Sequence, residues 1–216
     1  MSETILVTGA SAGFGQAICR RLVADGYRVI GSARRIEKLQ ALEEELGEAF
    51  YPLQMDVTDL SQVDHALASL PKAWERVDVL VNNAGLALGL APAYEAEVAD
   101  WLTMIQTNVV GLTYLTRKIL PQMVERNDGY IINLGSTAGT VPYPGANVYG
   151  ASKAFVKQFS LNLRADLAGK KIRVSNIEPG LCEGTEFSSV RFKGDEKRVE
   201  ALYRDAHAIQ PEDIAN

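Results

Sequence analysis

Cysteine and histidine are scarce in this chain, and each scarcity removes a class of function. Cys19 and Cys182 are its only cysteines, His65 and His207 its only histidines, in 216 residues. Two cysteines so far apart make neither a disulfide framework nor a zinc-ligand spacing, and they fit a reducing compartment. The histidines stand in no ligand-spaced motif, so no metal site is expected. No apolar run is long enough to span a bilayer. The opening MSETILVTG passes directly into a strand pattern, with no basic region followed by an apolar one, so no leader is expected. Basic residues are outnumbered, 22 Lys and Arg against 27 Asp and Glu, for a formal net charge of −5. That balance argues against a general binder of nucleic acid or of anionic membranes. The cytoplasm is the expected setting.

What is present is ordinary for a globular chain: 47% hydrophobic and 23% charged residues, in a length that suits one domain over residues 1–216. Short apolar, β-branched runs recur at 4–8, 28–32, 50–55, 77–81, 130–134 and 172–177. Most lack strict alternation, as strands buried on both faces do. Helical patterns lie between them at 14–25, 36–46, 60–70, 98–108 with 111–125, and 150–168. This alternation predicts an α/β fold, a Rossmann-type doubly wound parallel sheet of strand order 3-2-1-4-5-6. Ligands in such sheets bind beyond the carboxyl ends of the strands.

Polar and glycine residues gather at those ends. After the first strand comes TGASAGFG, with Gly9, Ser11, Gly13, Phe14 and Gly15. Glycines there let the loop turn tightly and bring backbone N–H groups to a phosphate at a helix N-terminus. The plainer reading is a tight strand-to-helix turn. The second strand ends SARR, with Arg34 and Arg35 where an acid would bind ribose hydroxyls and an arginine would take a 2′-phosphate. Their plainer reading is a solvated basic helix start. Asp56 and Val57 follow the third strand, where Asp56 suits an adenine edge or equally a turn. The fourth strand ends NNAG, with Asn83, Ala84 and Gly85 in a polar, flexible stretch along which a cofactor backbone could pass. The fifth ends at Ser136.

Residues 149–153 read YGASK. At i and i+4 on a helix, Tyr149 and Lys153 share a face, and a lysine there stabilises a tyrosinate whose ordinary pKa is about 10. The pattern alone is weak, because chance predicts about one third of a match in a chain of this composition. A second match exists, Tyr114 and Lys118. Context separates them: Ser136 precedes Tyr149 across a loop-like stretch that lets a strand-end hydroxyl meet a helix-start phenol. Tyr114 lies inside a helix with no such partner and is read as a surface pair with Lys118.

TGASAGFG, NNAG, Ser136, YGASK and the EPG of 178–180, in that order along the whole chain, resemble the short-chain dehydrogenases/reductases. NNAGLALG, STAGTVPYPGANVYGASKAFVKQFSLNLRADL and EPGLCEGTEFSSVRFKG are similar to the NADP-dependent 3-hydroxy acid dehydrogenases within them. The resemblance implies an NADP(H)-dependent oxidoreductase with a catalytic set of Asn108, Ser136, Tyr149 and Lys153. Tyr149 is then the general acid/base, Lys153 holds the nicotinamide ribose and lowers the tyrosine pKa, Ser136 hydrogen-bonds the substrate, and Asn108 anchors a relay water. Pro179 and Gly180 join the cofactor residues. Family members usually continue through a further helix and a seventh strand, so the C-terminus reads as incomplete, and Pro211 opens what six residues cannot hold as an unsupported helix.

Two further expectations concern partners. The segment 183–194 follows the sixth strand, where a lid over substrate would lie. It offers Arg191 and Lys193, and the planar fork of Arg191 suits a substrate carboxylate better. Helix 150–168 carries Phe155, Val156, Phe159, Leu161, Leu163 and Leu167 on more than one stripe, which implies burial on two sides. The resemblance makes the second side a subunit contact in a homodimer or homotetramer. Three functions follow: oxidoreduction of short 3-hydroxy acids and their 3-oxo acids or semialdehydes, reduction of a different carbonyl such as a 3-oxoacyl thioester, or a non-catalytic NADP-binding regulator. The intact four-residue set weighs against the last.

Overall fold

The computed structural model describes residues 3–204 and 206–216. Six strands form one parallel sheet in the order β3-β2-β1-β4-β5-β6. They are β1 (Thr4–Thr8), β2 (Arg28–Ala33), β3 (Phe50–Gln54), β4 (Val79–Asn82), β5 (Gly129–Leu134) and β6 (Ile172–Ile177). The missing alternation in their sequences has a simple cause. Every residue of β1 and β4 is buried, because helices cover both faces of the sheet.

Successive side chains on a strand point to opposite faces, and the core divides accordingly. Leu6, Ile30, Leu80 and Ile131 pack on one side against α3 (Leu60–Ala68), α5 (Leu112–Arg126) and α6 (Asn147–Asp166). Ile5, Val7, Val29, Val79 and Val81 pack on the other against α1 (Gly13–Ala24) and α2 (Ile36–Leu46). Each fully buried aliphatic side chain contributes about 1.5–3 kcal/mol. A buried polar network also ties the central strands to the helices. Asn82 Nδ2 donates to Thr116 Oγ1 and to Asn133 Oδ1, both at 2.9 Å, and Asn133 Nδ2 donates to Ser160 Oγ at 2.8 Å. Asn82 is therefore a rigid strand residue, not the start of a flexible stretch.

Three local features differ from the sequence reading. The helix at 98–108 does not break before 111–125. It runs from α4 (Val98–Ile105) through a π-turn, Gln106–Gly111, into α5. The segment after β6 folds into α7 (Phe187–Arg191) and α8 (Glu196–Tyr203). The last residues do form a helix, α9 (Pro211–Ala215), because it is supported: Gln210 and Asp213 make a capping box, and Ile214 and Ala215 pack into the core beside α1. On α6, Val156 and Leu163 are buried within the chain while Phe155 and Leu161 are exposed, so one stripe is covered and the other is not.

Candidate active site

The carboxyl ends of the strands surround a cleft of about 660 Å³. Gly9, Ser11, Gly13, Phe14, Arg34, Arg35, Asp56, Val57, Asn83, Ala84, Gly85, Ser136, Tyr149, Lys153, Pro179, Gly180 and Arg191 all line it. Of the catalytic and cofactor residues singled out by the sequence, Gly15 and Asn108 do not: Gly15 packs beneath the glycine loop, and Asn108 lies deeper. It stands behind Gly85: a Cβ built on that glycine would lie 3.2 Å from Asn108 Oδ1 and 3.3 Å from Lys153 Nζ.

Tyr149 and Lys153 sit on the first turns of α6, both buried. Ser136 stands just past the end of β5, at the start of the turn Thr137–Gly139. Its Oγ accepts from the Ala138 N–H at 3.1 Å, which leaves its proton free to be donated. The small residues of YGASK now have a reason. The turn at Thr137–Gly139 lies directly on α6, so a Cβ on Gly150 would be 2.9 Å from the Ala138 carbonyl oxygen, and one on Gly139 would be 2.7 Å from the Lys153 backbone. Bulk at either position would push serine and phenol apart.

Burial raises the Tyr149 pKa above its ordinary value, and the Ser136 hydroxyl and the Arg191 charge only partly offset it. Lys153 is not among the groups that offset it in the cofactor-free protein. Lys153 Nζ donates to the Leu134 carbonyl at 2.7 Å and stands 6.0 Å from the phenol ring centre. Burial itself lowers the Lys153 pKa, to about 8. Asn108 is held by the π-turn. Its Nδ2 donates to the Leu86 carbonyl at 2.9 Å and to Ser152 Oγ at 3.0 Å, and its Oδ1 accepts from the Leu86 N–H at 2.9 Å. It thus fixes the loop after β4.

The second Tyr-Lys pair is elsewhere. Tyr114 donates to Asp64 Oδ2 at 2.9 Å, and Lys118 pairs with Asp64 Oδ1 at 2.7 Å. Lys118 Nζ lies 5.0 Å from the Tyr114 ring centre, closer than in the buried pair, yet this pair faces water and α3. Environment separates the two pairs; spacing does not.

The opposite end of the cleft fits a phosphorylated dinucleotide. Gly9 takes a positive φ of 69°, and a Cβ on Gly15 would lie 2.3 Å from the Gly9 carbonyl oxygen, so only glycine lets the loop close on α1. Ala12 caps α1 without a side-chain hydrogen bond, leaving the first N–H groups of the helix for an anion. Ser32 Oγ, at the end of β2, is buried in the cleft lining with no partner. Arg34 is exposed and makes no side-chain hydrogen bond or ion pair among the described residues. Arg35 is committed instead: it donates to Ser11 Oγ at 3.0 Å and pairs with Glu186 at 2.8 Å. Asp56 serves the turn, accepting from the Thr58 N–H at 2.9 Å and hydroxyl at 2.8 Å. Asn83 Nδ2 donates to the Thr8 carbonyl at 2.7 Å, bracing the glycine loop.

The lid contributes more than the sequence suggested. Arg191 is buried, its Nε donates to the Gly89 carbonyl at 3.1 Å, and its Nη2 has no partner among the described residues. Its guanidinium stands 5.7 Å from the Tyr149 ring centre and 5.4 Å from that of Tyr143. Lys193, the other candidate, is paired with Asp100 at 2.8 Å. Phe187 packs edge-on against Tyr149 at 5.7 Å between ring centres. Phe187 and Glu186 were missed. Nothing in their spacing marks them, since their partners are distant in sequence.

The short chain dehydrogenase family profile matches residues 3–196. The chain belongs to that family. It is 60% identical over 215 residues to a probable NADP-dependent dehydrogenase of Haemophilus influenzae, covering 100% of this chain and 85% of the relative. It is 58% identical to the NADP-dependent 3-hydroxy acid dehydrogenase of Escherichia coli K12, over 98% of this chain and 85% of that protein. Among solved structures it superposes on the closed form of a serine dehydrogenase complexed with NADP+ at a TM-score of 0.97, with 58% identity, 98% of this chain and 86% of that one.

Proposed function

We propose that the protein is an NADP-dependent dehydrogenase that interconverts short 3-hydroxy acids, serine-like or 3-hydroxypropionate-like, with their 3-oxo acids or semialdehydes. The family and the names of its relatives support the reaction class and the cofactor. The observation that carries the substrate class is Arg191. A buried guanidinium with a free Nη2 and no acidic partner among the described residues stands beside Tyr149, where a substrate carboxylate would complete it.

The nicotinamide, when bound, supplies or accepts the hydride. The chain's own residues do the rest. In reduction, Ser136 and Tyr149 hydrogen-bond the carbonyl oxygen, and Tyr149 gives it a proton as the hydride reaches carbon. Burial that keeps the phenol protonated suits this donor role. Lys153 would hold the ribose hydroxyls, and Asn108, which holds the loop after β4 through Leu86, would anchor a relay water. Arg191 orients the acid so that its carbonyl faces Tyr149. A second copy of the chain covers the exposed stripe of Phe155 and Leu161 on α6 in a homodimer or homotetramer.

The test is a substrate panel with NADPH oxidation followed by absorbance. Malonic semialdehyde should be turned over far better than its methyl ester or an acetoacetyl thioester. Equal or better turnover of the thioester overturns the substrate reading.

A further inference from the structure

The sequence offers Arg34 and Arg35 as one feature, but the fold gives them different partners. Arg34 is unengaged. Arg35 lies in a web that joins three separate parts of the chain. Its Nε and Nη2 donate to Ser11 Oγ in the glycine loop, at 3.3 and 3.0 Å. Its Nη1 and Nη2 grip the Glu186 carboxylate as a fork, at 3.2 and 2.8 Å. Lys38 on α2 holds the same carboxylate at 2.7 Å. Two cations draw the Glu186 pKa down to about 2, so it is ionised throughout the working range.

Glu186 stands at the start of α7, and Arg191 ends that helix. The helix is therefore strapped at both ends. At one end Glu186 reaches Arg35 and Lys38. At the other Arg191 donates to the Gly89 carbonyl, and its own carbonyl accepts from the Gly89 N–H at 2.9 Å. Between the straps Phe187 rests on Tyr149. Beside them Thr185 lies directly over the glycine loop, where a Cβ built on Gly13 would meet Thr185 Cβ at 3.1 Å. The cleft continues beneath this span, with Thr185, Glu186 and Phe187 in its lining.

We infer that Glu186 is a positioning residue, a clasp that fastens the lid to Arg35 and Lys38 across the bound cofactor, while Arg34 alone provides the free fork for the 2′-phosphate. The reading rests on the proposed NADP-dependent reaction. Its logic is charge and geometry. Four of the five Arg35 N–H donors are already committed to Ser11 and Glu186, so Arg35 cannot also offer a bidentate face to phosphate. Arg34, Arg35 and Lys38 carry three positive charges and Glu186 one negative, which leaves roughly what a phosphate monoester of charge about −1.5 to −2 needs. The clasp closes the site from the adenosine side and, through the rigid turn of α7, sets Phe187 and Arg191 over Tyr149.

Glu186→Gln keeps the shape and removes the charge. Exposed ion pairs are weak, and this one is bidentate and shared between two cations, so the expected effect is about fivefold, at the upper end of the range. Amide exchange over residues 187–191 should quicken about fivefold in the cofactor-free variant, with residues 149–156 of α6 unchanged. With cofactor, NADPH release should quicken by a similar factor, and the KM for the hydroxy acid should rise more than kcat falls. The ratio of NADP to NAD preference should stay within twofold of the parent, whereas Arg34→Ala should lower that ratio tenfold or more. Three results overturn the inference: unchanged exchange over 187–191, tighter NADP binding in Glu186→Gln, which would make Glu186 a competitor of the phosphate, or a loss of NADP preference in Arg35→Ala as large as in Arg34→Ala with exchange over 187–191 unaltered. The exchange measurement needs neither cofactor nor substrate, so failure of the functional reading and failure of the clasp are told apart.

Discussion

Replacing Arg191 by methionine isolates the substrate carboxylate contact. Methionine keeps apolar bulk beneath Tyr143 and beside Tyr149 and removes the charge. Two interactions are lost. One is the Nε bond to the Gly89 carbonyl, a bond to an arginine that positions the lid for any substrate. The other is the pairing of Nη2 with a carboxylate, a charge-assisted bond worth about 1.5–3 kcal/mol. At about 1.4 kcal/mol per factor of ten, the second loss raises KM by roughly ten- to a hundredfold for acids alone. The assay compares each variant on a 3-oxo acid and on its methyl ester. Loss of the Gly89 bond affects both substrates equally, so the ratio of the two effects reads the carboxylate contact. Arg191→Lys should fall between, since an ammonium restores charge without the fork. Misfolding is not the expected confounder: a buried cation without an acid partner costs stability, so the melting temperature of Arg191→Met should be unchanged or higher. An equal rise in KM for acid and ester refutes the assignment.

Tyr149→Phe should lower kcat by at least about 10²-fold with NADPH affinity little changed, while Tyr114→Phe stays within a few-fold of the parent; a live Tyr149→Phe enzyme discards a tyrosine-dependent mechanism. Lys153, with a pKa of about 8 in the cofactor-free protein, should impose a fall in kcat/KM for NADPH above about pH 8, and Lys153→Ala should remove that limb. Stability moves the other way. The folded lysine loses its proton near pH 8 and the unfolded one near its ordinary 10.5, so the unfolded state holds more protons between those values and this group's contribution to stability rises with pH across that window. Light scattering should show a dimer or tetramer, and Phe155→Glu with Leu161→Glu should shift it toward monomer; a monomeric parent refutes the subunit contact on α6.

The sheet was readable because its cause is local. A strand such as Thr4–Thr8, covered on both faces, must be apolar throughout, and that pattern survives in one dimension. That Ser136, Tyr149 and Lys153 come together at one cleft was readable for a related reason, whereas Asn108 entered only with the family resemblance. Ser136, Tyr149 and Lys153 lie at the ends of regular elements whose order the topology dictates. The lid was not readable in the same way. Glu186 finds Arg35 at a separation of 151 residues, and Arg191 finds Gly89 at 102. Neither pairing leaves a periodic trace, and the helices that carry them are too short to show one. The π-turn at Gln106–Gly111 was missed because its residues read as helix on both sides; within it Asn108 Nδ2 donates to the Leu86 carbonyl. Burial, which raises the Tyr149 pKa here, leaves no trace in the sequence, whereas a neighbouring lysine is visible in it.

The unsatisfied atoms carry the last step. Among the described residues, Ser32 Oγ, Asn176 Oδ1 and Arg191 Nη2 are buried without a partner. Each such atom costs about 1–3 kcal/mol, so a fold retains one only where something offsets it. Ser32 and Arg191 both line the cleft, one over β2 and the other beside the loop after β4. Asn176 lies outside it, against Gly135, where a Cβ would come within 2.7 Å of that same Oδ1. Close backbone packing accounts for Asn176 and leaves it no ligand to meet. Of the other two, one is a hydroxyl left over at the β2 end of the cleft and the other a cationic donor left over beside Tyr149. On the function proposed above, the dinucleotide would engage Ser32 and a small acid would engage Arg191, with the residues already in place.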